Sequence, residues 1–385
     1  MFLIFLIAIF PLSPGAEPLS AMDVFDLEWA SDPRVAPDGQ RIVYVRRSND
    51  IMQDRTRSNL WEVSIDGTSH RPLYSGVDNY SNPRFSPDGE RLAFTSNESG
   101  NRQIYVRWMD TGQTALVAGL QESPRSLTWS PDGKWLAFTL PVKADAKPIA
   151  KPRKPPEGAK WADKPIIVQS TRYQYDGRGI IEPAYRHVFV VPADGGSPRQ
   201  LTSGDYNHYG ALAWSADSDL VYFSANRTAD WELVTDEADI YAVNIASKNL
   251  ERITDMPGAE RSPKISPDSR YIAFSREERR ALAYTPKEIG VMDTSGGNHR
   301  LLTTNLDADA DGAIWAEDSK SLYFTYDERA VRKIARVTLD GRITDVASGL
   351  GGTMIGRPYL SGTIMRQAGL RRSPGAMRTA PPTSL

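Results

Sequence analysis

The stretch Ser86-Pro87-Asp88-Gly89-Glu90-Arg91-Leu92-Ala93-Phe94 decides the fold, because the chain repeats it. Copies read Ala36-Pro37-Asp38-Gly39 and Ser130-Pro131-Asp132-Gly133. Looser copies read Ser215-Ala216-Asp217-Ser218, Ser266-Pro267-Asp268-Ser269 and Ala316-Glu317-Asp318-Ser319. The aspartates lie 50, 44, 85, 51 and 50 residues apart, so one interval holds an insertion. Three residues before each aspartate stand Val35, Phe85, Trp129, Trp214, Ile265 and Trp315. Four after it stand Ile42, Leu92, Leu136, Val221, Ile272 and Leu322, and six after it Tyr44, Phe94, Phe138, Phe223, Phe274 and Phe324. Apolar residues two apart share one face of a strand. Between them Pro presets φ, Asp bonds to its own backbone and Gly accepts positive φ, which is turn chemistry. Each copy therefore opens with a β-hairpin.

A second hairpin follows in each copy. Its first strand appears as Leu60 to Val63, Ile104 to Val106, Val188 to Val190, Ile240 to Val243, Ile289 to Val291 and Ile334 to Val337. Closing strands carry Leu73, Leu116, Leu201, Ile253, Leu302 and Val346. Four short antiparallel strands per repeat predict an all-β chain: a β-propeller of four-stranded blades over 31–350, with six complete blades and the start of a seventh. A solenoid would not need these hairpins.

Composition narrows the function. The 385 residues hold 46 basic and 48 acidic side chains for a net charge of −2, so no global basic field points to nucleic acid. Four histidines and no cysteine exclude thiolate zinc sites, iron–sulfur clusters and a cysteine nucleophile. No cofactor is expected. The apolar run Phe2–Phe10, followed by Pro11, Pro14, Gly15 and Ala16, reads as a signal peptide over 1–16, too short to span a bilayer. It predicts an exported protein, periplasmic or extracellular, with no membrane span after its removal. Ser20 to Trp29, with Ser20 and Asp23 spaced like a capping box, predicts a leader helix over 17–30.

The insertion spans 141–185. Its Lys- and Pro-rich part, 141–165, reads as a solvated loop or as a lid or docking arm. The segment 166–187 mixes aromatic, Arg and acidic residues, and reads as a salt-bridged anchor or as the lining of a site. Asp307, Asp309 and Asp311 have the spacing of an EF-hand loop, with Asp318 in twelfth place. They form a weak calcium candidate, because Trp315 and Asp318 already occupy the strand and turn columns of the sixth copy. After Gly351–Tyr359, which resembles entry to another blade, the composition shifts. Residues 351–385 read as a broken seventh blade with a disordered or out-of-frame tail.

These features together resemble the prolyl oligopeptidase family of serine peptidases, in its dipeptidyl aminopeptidase/acylaminoacyl-peptidase branch. The resemblance rests on Met22 to Leu27, the Ser-Pro-Asp-Gly repeats, Tyr173 to Arg178, Tyr185 to Pro192, Leu201 to Tyr206, Asn226 to Glu232 and Leu350 to Tyr359. Periplasmic propellers of Tol-B type share the repeats. The resemblance implies a propeller that restricts access to an α/β-hydrolase domain cleaving short peptides. That domain carries a Ser, Asp, His triad with its serine in a Gly-x-Ser-x-Gly elbow, and the elbow pattern does not occur in this sequence. No catalytic residue is expected here, and the chain by itself is expected to be silent. Short peptides are its expected ligands when it is joined to a hydrolase domain, which a complementary chain could supply. Tyr175, Arg178 and Glu182 are the expected substrate-facing residues, with Arg suited to a carboxylate and Glu to an amino terminus. The alternative is a stand-alone periplasmic propeller of Tol-B type that binds or scaffolds.

Overall fold

The computed structural model describes residues 20–144, 153–162, 166–177, 179–280, 282 and 284–350. The expected signal peptide, the Lys- and Pro-rich residues 145–152, Arg178 and the seventh-blade and tail region 351–385 lie outside the described residues.

Six four-stranded antiparallel sheets follow one another along the chain. Blade one contains β1 (Glu28–Val35), β2 (Arg41–Asp50), β3 (Arg55–Ser64) and β4 (His70–Tyr74). Blade two contains β5 (Tyr80–Phe85), β6 (Arg91–Ser96), β7 (Gln103–Trp108) and β8 (Thr114–Ala118). Blade three contains β9 (Arg125–Trp129) and β10 (Trp135–Lys143). After the insertion, with its small hairpin β11 (Gln174–Tyr175) and β12 (Gly179–Ile180), it resumes with β13 (Ala184–Pro192) and β14 (Arg199–Gln200). Blade four contains β15 (His208–Trp214), β16 (Leu220–Ala225), β17 (Asp239–Asn244) and β18 (Leu250–Arg252). Blade five contains β19 (Gly258–Ile265), β20 (Tyr271–Glu278), β21 (Lys287–Asp293) and β22 (Arg300–Leu301). Blade six contains β23 (Asp311–Trp315), β24 (Ser321–Glu328), β25 (Val331–Thr338) and β26 (Ile343–Ser348). The first strand of each blade is innermost, and β1, β5, β9, β15 and β19 pack against one another in turn. The described residues form the expected β-propeller with its six complete four-stranded blades.

The sequence columns become register. Val35 pairs with Ile42, Phe85 with Leu92, Trp129 with Leu136, Trp214 with Val221, Ile265 with Ile272 and Trp315 with Leu322. Phe94, Phe138, Phe223, Phe274 and Phe324 are fully buried and form the aromatic spine of the core. Burying each such ring stabilises the fold by roughly 1.5–3 kcal/mol. Opposite Phe274 stands Gly290, where a Cβ would fall 2.4 Å from the ring. In the third, fourth and fifth blades a buried threonine replaces one ladder bond. Thr202, Thr254 and Thr303 each accept the N–H of Val188, Ile240 and Ile289 at 2.9 Å.

The hairpin turns bear out their chemistry. In blade two the Ser86 hydroxyl donates to Asp88 at 2.5 Å and accepts the Arg91 N–H at 2.9 Å, while Asp88 accepts the Glu90 N–H at 3.0 Å. Gly39, Gly89 and Gly133 sit at φ of 70°, 77° and 69°, and Ser218, Ser269 and Ser319 hold the same left-handed conformation in the later copies.

The expected leader helix is reduced to a single 3-10 turn, Asp23–Phe25. Half of the capping box forms, since the Ser20 N–H and hydroxyl donate to Asp23 at 2.7 and 2.9 Å. The chain then turns extended, and Glu28 pairs with Ser48. Strand pairing outcompetes a helix of so few residues, whose nucleation is costly. β10 runs on to Lys143 and β13 starts at Ala184, so the insertion proper is 144–183.

Candidate functional site: the central bore and its loop end

Antiparallel blades give the propeller two unlike ends. The Asp-centred turns close one, here the turn end. The starts of the innermost strands and the second-to-third-strand loops form the other, here the loop end. Glu28, where β1 begins, and Ser348, where β26 stops, both lie at the loop end.

Each innermost strand carries a bulge with one residue in the left-handed region. These are Asp32, Asn82, Ser126, Gly210, Ser262 and Gly312, with φ between 47° and 83°. Positive φ costs a non-glycine residue of order 1 kcal/mol, and Asp and Asn bear it best. The bulges re-aim polar groups from one blade to the next. Arg84 of blade two reaches Asp32 of blade one at 2.8 Å. The Ser126 hydroxyl donates to the Gly210 carbonyl at 2.6 Å, and the Ser224 hydroxyl accepts the Ser262 N–H at 3.2 Å.

Two residues after the bulge three blades place a cation: Arg34, Arg84 and Lys264. Arg34 pairs with Asp32 at 2.6 Å. Lys264 donates to the Ala313 carbonyl of blade six. Burial, and behind it the charge of Arg34, pushes the Lys264 ammonium down to about 8. Burial likewise holds Arg84 below its ordinary value. Their carbonyls are fixed as well, because the indole N–H groups of Trp129 and Trp315 donate to Arg84 at 2.9 Å and to Lys264 at 2.8 Å.

At the loop end Arg102, before β7, and Arg125, where the innermost strand β9 begins, lie near Arg47 of β2. Arg102 is held below its ordinary value by burial first, then by Arg47 and Arg125. Arg47 donates to the Ser31 hydroxyl at 3.0 Å. The rim is apolar. Among the described residues of the blades and their connecting loops, the exposed large apolar side chains other than Leu116 and Val346 lie at the loop end. Met52 is 88% exposed, Leu233 75% and Val77 72%, and Ile51, Leu282 and Tyr284 join them. The turn end shows instead a hollow of about 430 Å³ lined in part by Asp38, Asp88, Glu90 and Asp110.

The insertion sits on this rim. Its neck is pinned by Lys143 to Glu182 at 2.9 Å and by the Ala144 N–H to the Pro183 carbonyl at 2.9 Å. Thr171 donates from its N–H and hydroxyl to Glu232 of blade four at 3.4 and 3.3 Å. Tyr185 meets Trp231 edge-on, ring centres 6.0 Å apart.

Of the expected substrate-facing residues, Tyr175 lies on the exposed hairpin, where Arg172 donates to its hydroxyl at 3.2 Å and covers its ring. Glu182 lies at the neck with Lys143, and Arg178 lies outside the described residues. Asp309 accepts the Lys287 N–H at 2.9 Å and the Tyr284 hydroxyl at 3.1 Å, and Asp311 takes the Lys287 ammonium at 3.2 Å. No cluster of three or more His, Asp or Glu side chains that could hold a metal ion occurs among the described residues.

The histidines do structural work. His208 donates from Nδ1 to the Arg186 carbonyl at 2.8 Å, and its Nε2 accepts from Arg227 at 2.9 Å, which fixes a neutral ring. Burial pushes His208 down to about 3 and its neighbour His187 to about 4. His70 is bonded to the Tyr44 hydroxyl at 2.6 Å and His299 to the Gly296 carbonyl at 2.5 Å.

Sequence reading missed the bulge ring and the cations after it. The bulge position holds four residue types over the six blades, and its nearest regular signal is the following proline at Pro33, Pro83 and Pro263.

Comparison with known proteins adds to this geometry. The TolB beta propeller domain family matches residues 28–147, and the dipeptidyl peptidase IV N-terminal region matches residues 160–279. Dipeptidyl-peptidase 5 of Porphyromonas gingivalis is 26% identical over 348 residues, covering 84% of this chain and 48% of that protein. An uncharacterized peptidase of Bacillus subtilis, YuxL, is 29% identical over 211 residues, 54% of this chain and 31% of that protein. The chain thus spans about half or less of the length of the curated relatives it matches. Among solved structures, the acylaminoacyl peptidase of Pyrococcus horikoshii superposes with a TM-score of 0.64 at 17% identity, covering 84% of this chain and 46% of that one, a likeness of fold alone.

Proposed function

We propose, from the premise that this chain is a prolyl oligopeptidase-family N-terminal propeller region, that it works as the substrate gate of an exported serine peptidase. In this reading the loop end docks an α/β-hydrolase domain, and the bore admits short flexible peptides while excluding folded proteins. The observation that carries it is the asymmetry of the two ends. Exposed apolar side chains gather at the loop end, where β1 begins and β26 stops. Their concentration at one end favours that end as the interaction face. A hydrolase domain linked through the chain at that end would cover it.

The chain's own contribution is binding, orientation and exclusion. Its histidines are buried or bonded within the blades, so the nucleophile and base belong to the hydrolase domain. Export is part of the proposal and rests on the apolar run Phe2–Phe10.

The test is to mix the purified chain with a separately purified α/β-hydrolase domain of the same family and to follow two substrates. The reading expects hydrolysis of a short chromogenic peptide to persist while cleavage of a folded protein is suppressed by the added propeller. Equal cleavage of both substrates, with and without the chain, would sink it. A stand-alone binding role would then take its place.

A further inference from the structure

The bore is more positive than the fold requires. On the innermost strands three acids are taken by cations of neighbouring strands: Glu28 by Arg46 at 3.1 Å, Glu260 by Arg276 at 3.2 Å and Asp311 by Lys287 at 3.2 Å. The cation Arg261 is likewise met by Glu277 at 3.9 Å. What remains is one carboxylate, Asp32, shared by Arg34 and Arg84, together with Arg125 and Lys264, which have no ion-pair partner among the described residues. Arg34 also keeps a buried Nε–H without an acceptor among the described residues. Arg47 and Arg102 stand beside Arg125 at the mouth, again with no carboxylate paired to them among the described residues, and the proximity of the three presses Arg102 below its ordinary value after burial. All this occurs in a chain whose net charge is −2. Cations lining a concave, low-dielectric wall focus the field and raise the local concentration of anions.

We propose that the bore is an anion-selective passage whose Arg34, Arg84, Arg125 and Lys264 side chains engage the carboxylates of acidic oligopeptides. This rests on reading the bore as the peptide passage, and adds the substrate class. The mouth arginines Arg102 and Arg125 capture an acidic residue or a free C-terminal carboxylate. The inner trio then offers a second station, where Asp32 competes for the same guanidiniums and keeps the hold on a peptide reversible.

The experiment is calorimetric titration of the chain with three hexapeptides that differ only in carrying two Glu, two Gln or two Lys residues. At low ionic strength the Glu peptide should bind about tenfold tighter than the Gln peptide, and the Lys peptide more weakly than either. In R102Q/R125Q the Glu preference should fall to about twofold, and raised salt should erode it in the parent chain. R84Q should lower the preference too. Because Arg84 is an internal partner of Asp32, the mouth variant carries the test if R84Q fails to fold. Equal affinity for the three peptides, or an unchanged preference in R102Q/R125Q, overturns charge selection while leaving the passage intact. Binding of none of the three overturns both.

Discussion

The hydroxyl of Ser218, in the turn of blade four, accepts the main-chain N–H of Asp132 in the turn of blade three at 3.1 Å. Ser319 of blade six accepts the N–H of Asp268 of blade five in the same way at 3.0 Å. Both serines stand where earlier copies have glycine, at left-handed φ of 66° and 57°. A hydroxyl that bridges two blades compensates for the backbone conformation a serine disfavours. Ser218→Ala keeps the strain and loses the bond, and should cost about 1 kcal/mol. Ser218→Gly loses the bond but relieves the strain, and should be nearly neutral. Urea unfolding of the two variants checks the order, and an alanine variant as stable as the glycine one would contradict it.

The same turns set the acid limit. Burial raises the carboxyls of Asp88, Asp132 and Asp268, yet the serine hydroxyls and main-chain N–H groups outweigh it, and all three sit below the ordinary value. Asp217 is lowered chiefly by the Ser215 hydroxyl. A depressed carboxyl contributes stability that is present above the unfolded value, near 3.9, and is lost as pH falls through the folded one. The urea midpoint should therefore drop steeply below about pH 4. The Ser215→Ala variant should show a shallower drop, and identical acid slopes in parent and variant would speak against the turn carboxylates.

Glu260 runs the other way. It is fully buried between blades four and five, with one oxygen bonded to Arg276 and the other without a hydrogen-bond partner among the described residues. Burial outweighs that arginine and pushes the carboxyl up to about 7. A raised acid contributes stability that is full below its unfolded value and is lost as pH rises through the folded one. Stability should decline between about pH 4.3 and 7, and Glu260→Gln should flatten that decline. A variant with the parent's slope over this range would refute the assignment.

Gly290 tests the packing of the spine. A Cβ there would meet three ring carbons of Phe274 at 2.4 to 3.0 Å. Gly290→Ala should cost about 1–3 kcal/mol, since overpacking forces a buried ring off its rotamer. Adding Phe274→Leu should recover part of the loss, which thermal melts of the single and double variants would measure.

The blades were legible in the sequence because their signal is local. The apolar columns at Phe85, Leu92 and Phe94 lie within ten residues, and period-two spacing writes itself directly into register. The turns were legible for the same reason. The leader was misread because Ser20 and Asp23 do form their local bonds, while the pairing of Glu28 with Ser48 is a longer-range event. The bore was not legible at all. Arg34 and Lys264 become neighbours only when the blades close around an axis, and the bulges that aim them use Asp, Asn, Ser and Gly interchangeably. The apolar rim was hidden too, since Met52, Leu233 and Leu282 sit singly in three separate loops.

Docking at the loop end is open to substitution. Met52→Glu combined with Leu282→Glu should weaken association with the hydrolase domain by at least about tenfold, as charges placed in an apolar interface do. Met109→Glu, at the turn end, should leave it unchanged. Size-exclusion chromatography of the mixed proteins reads both, and equal effects of the two changes would place the interface elsewhere.

The most direct measurement is amide hydrogen exchange of the chain alone and with the hydrolase domain. The account predicts new protection confined to the loop end: residues 51–54, 226–238 and 279–286, and the insertion around 166–180. The turns at 36–39, 86–89 and 130–133 should exchange as before. Protection at those turns instead, or none at either end, would contradict a propeller that gates a hydrolase through its apolar rim.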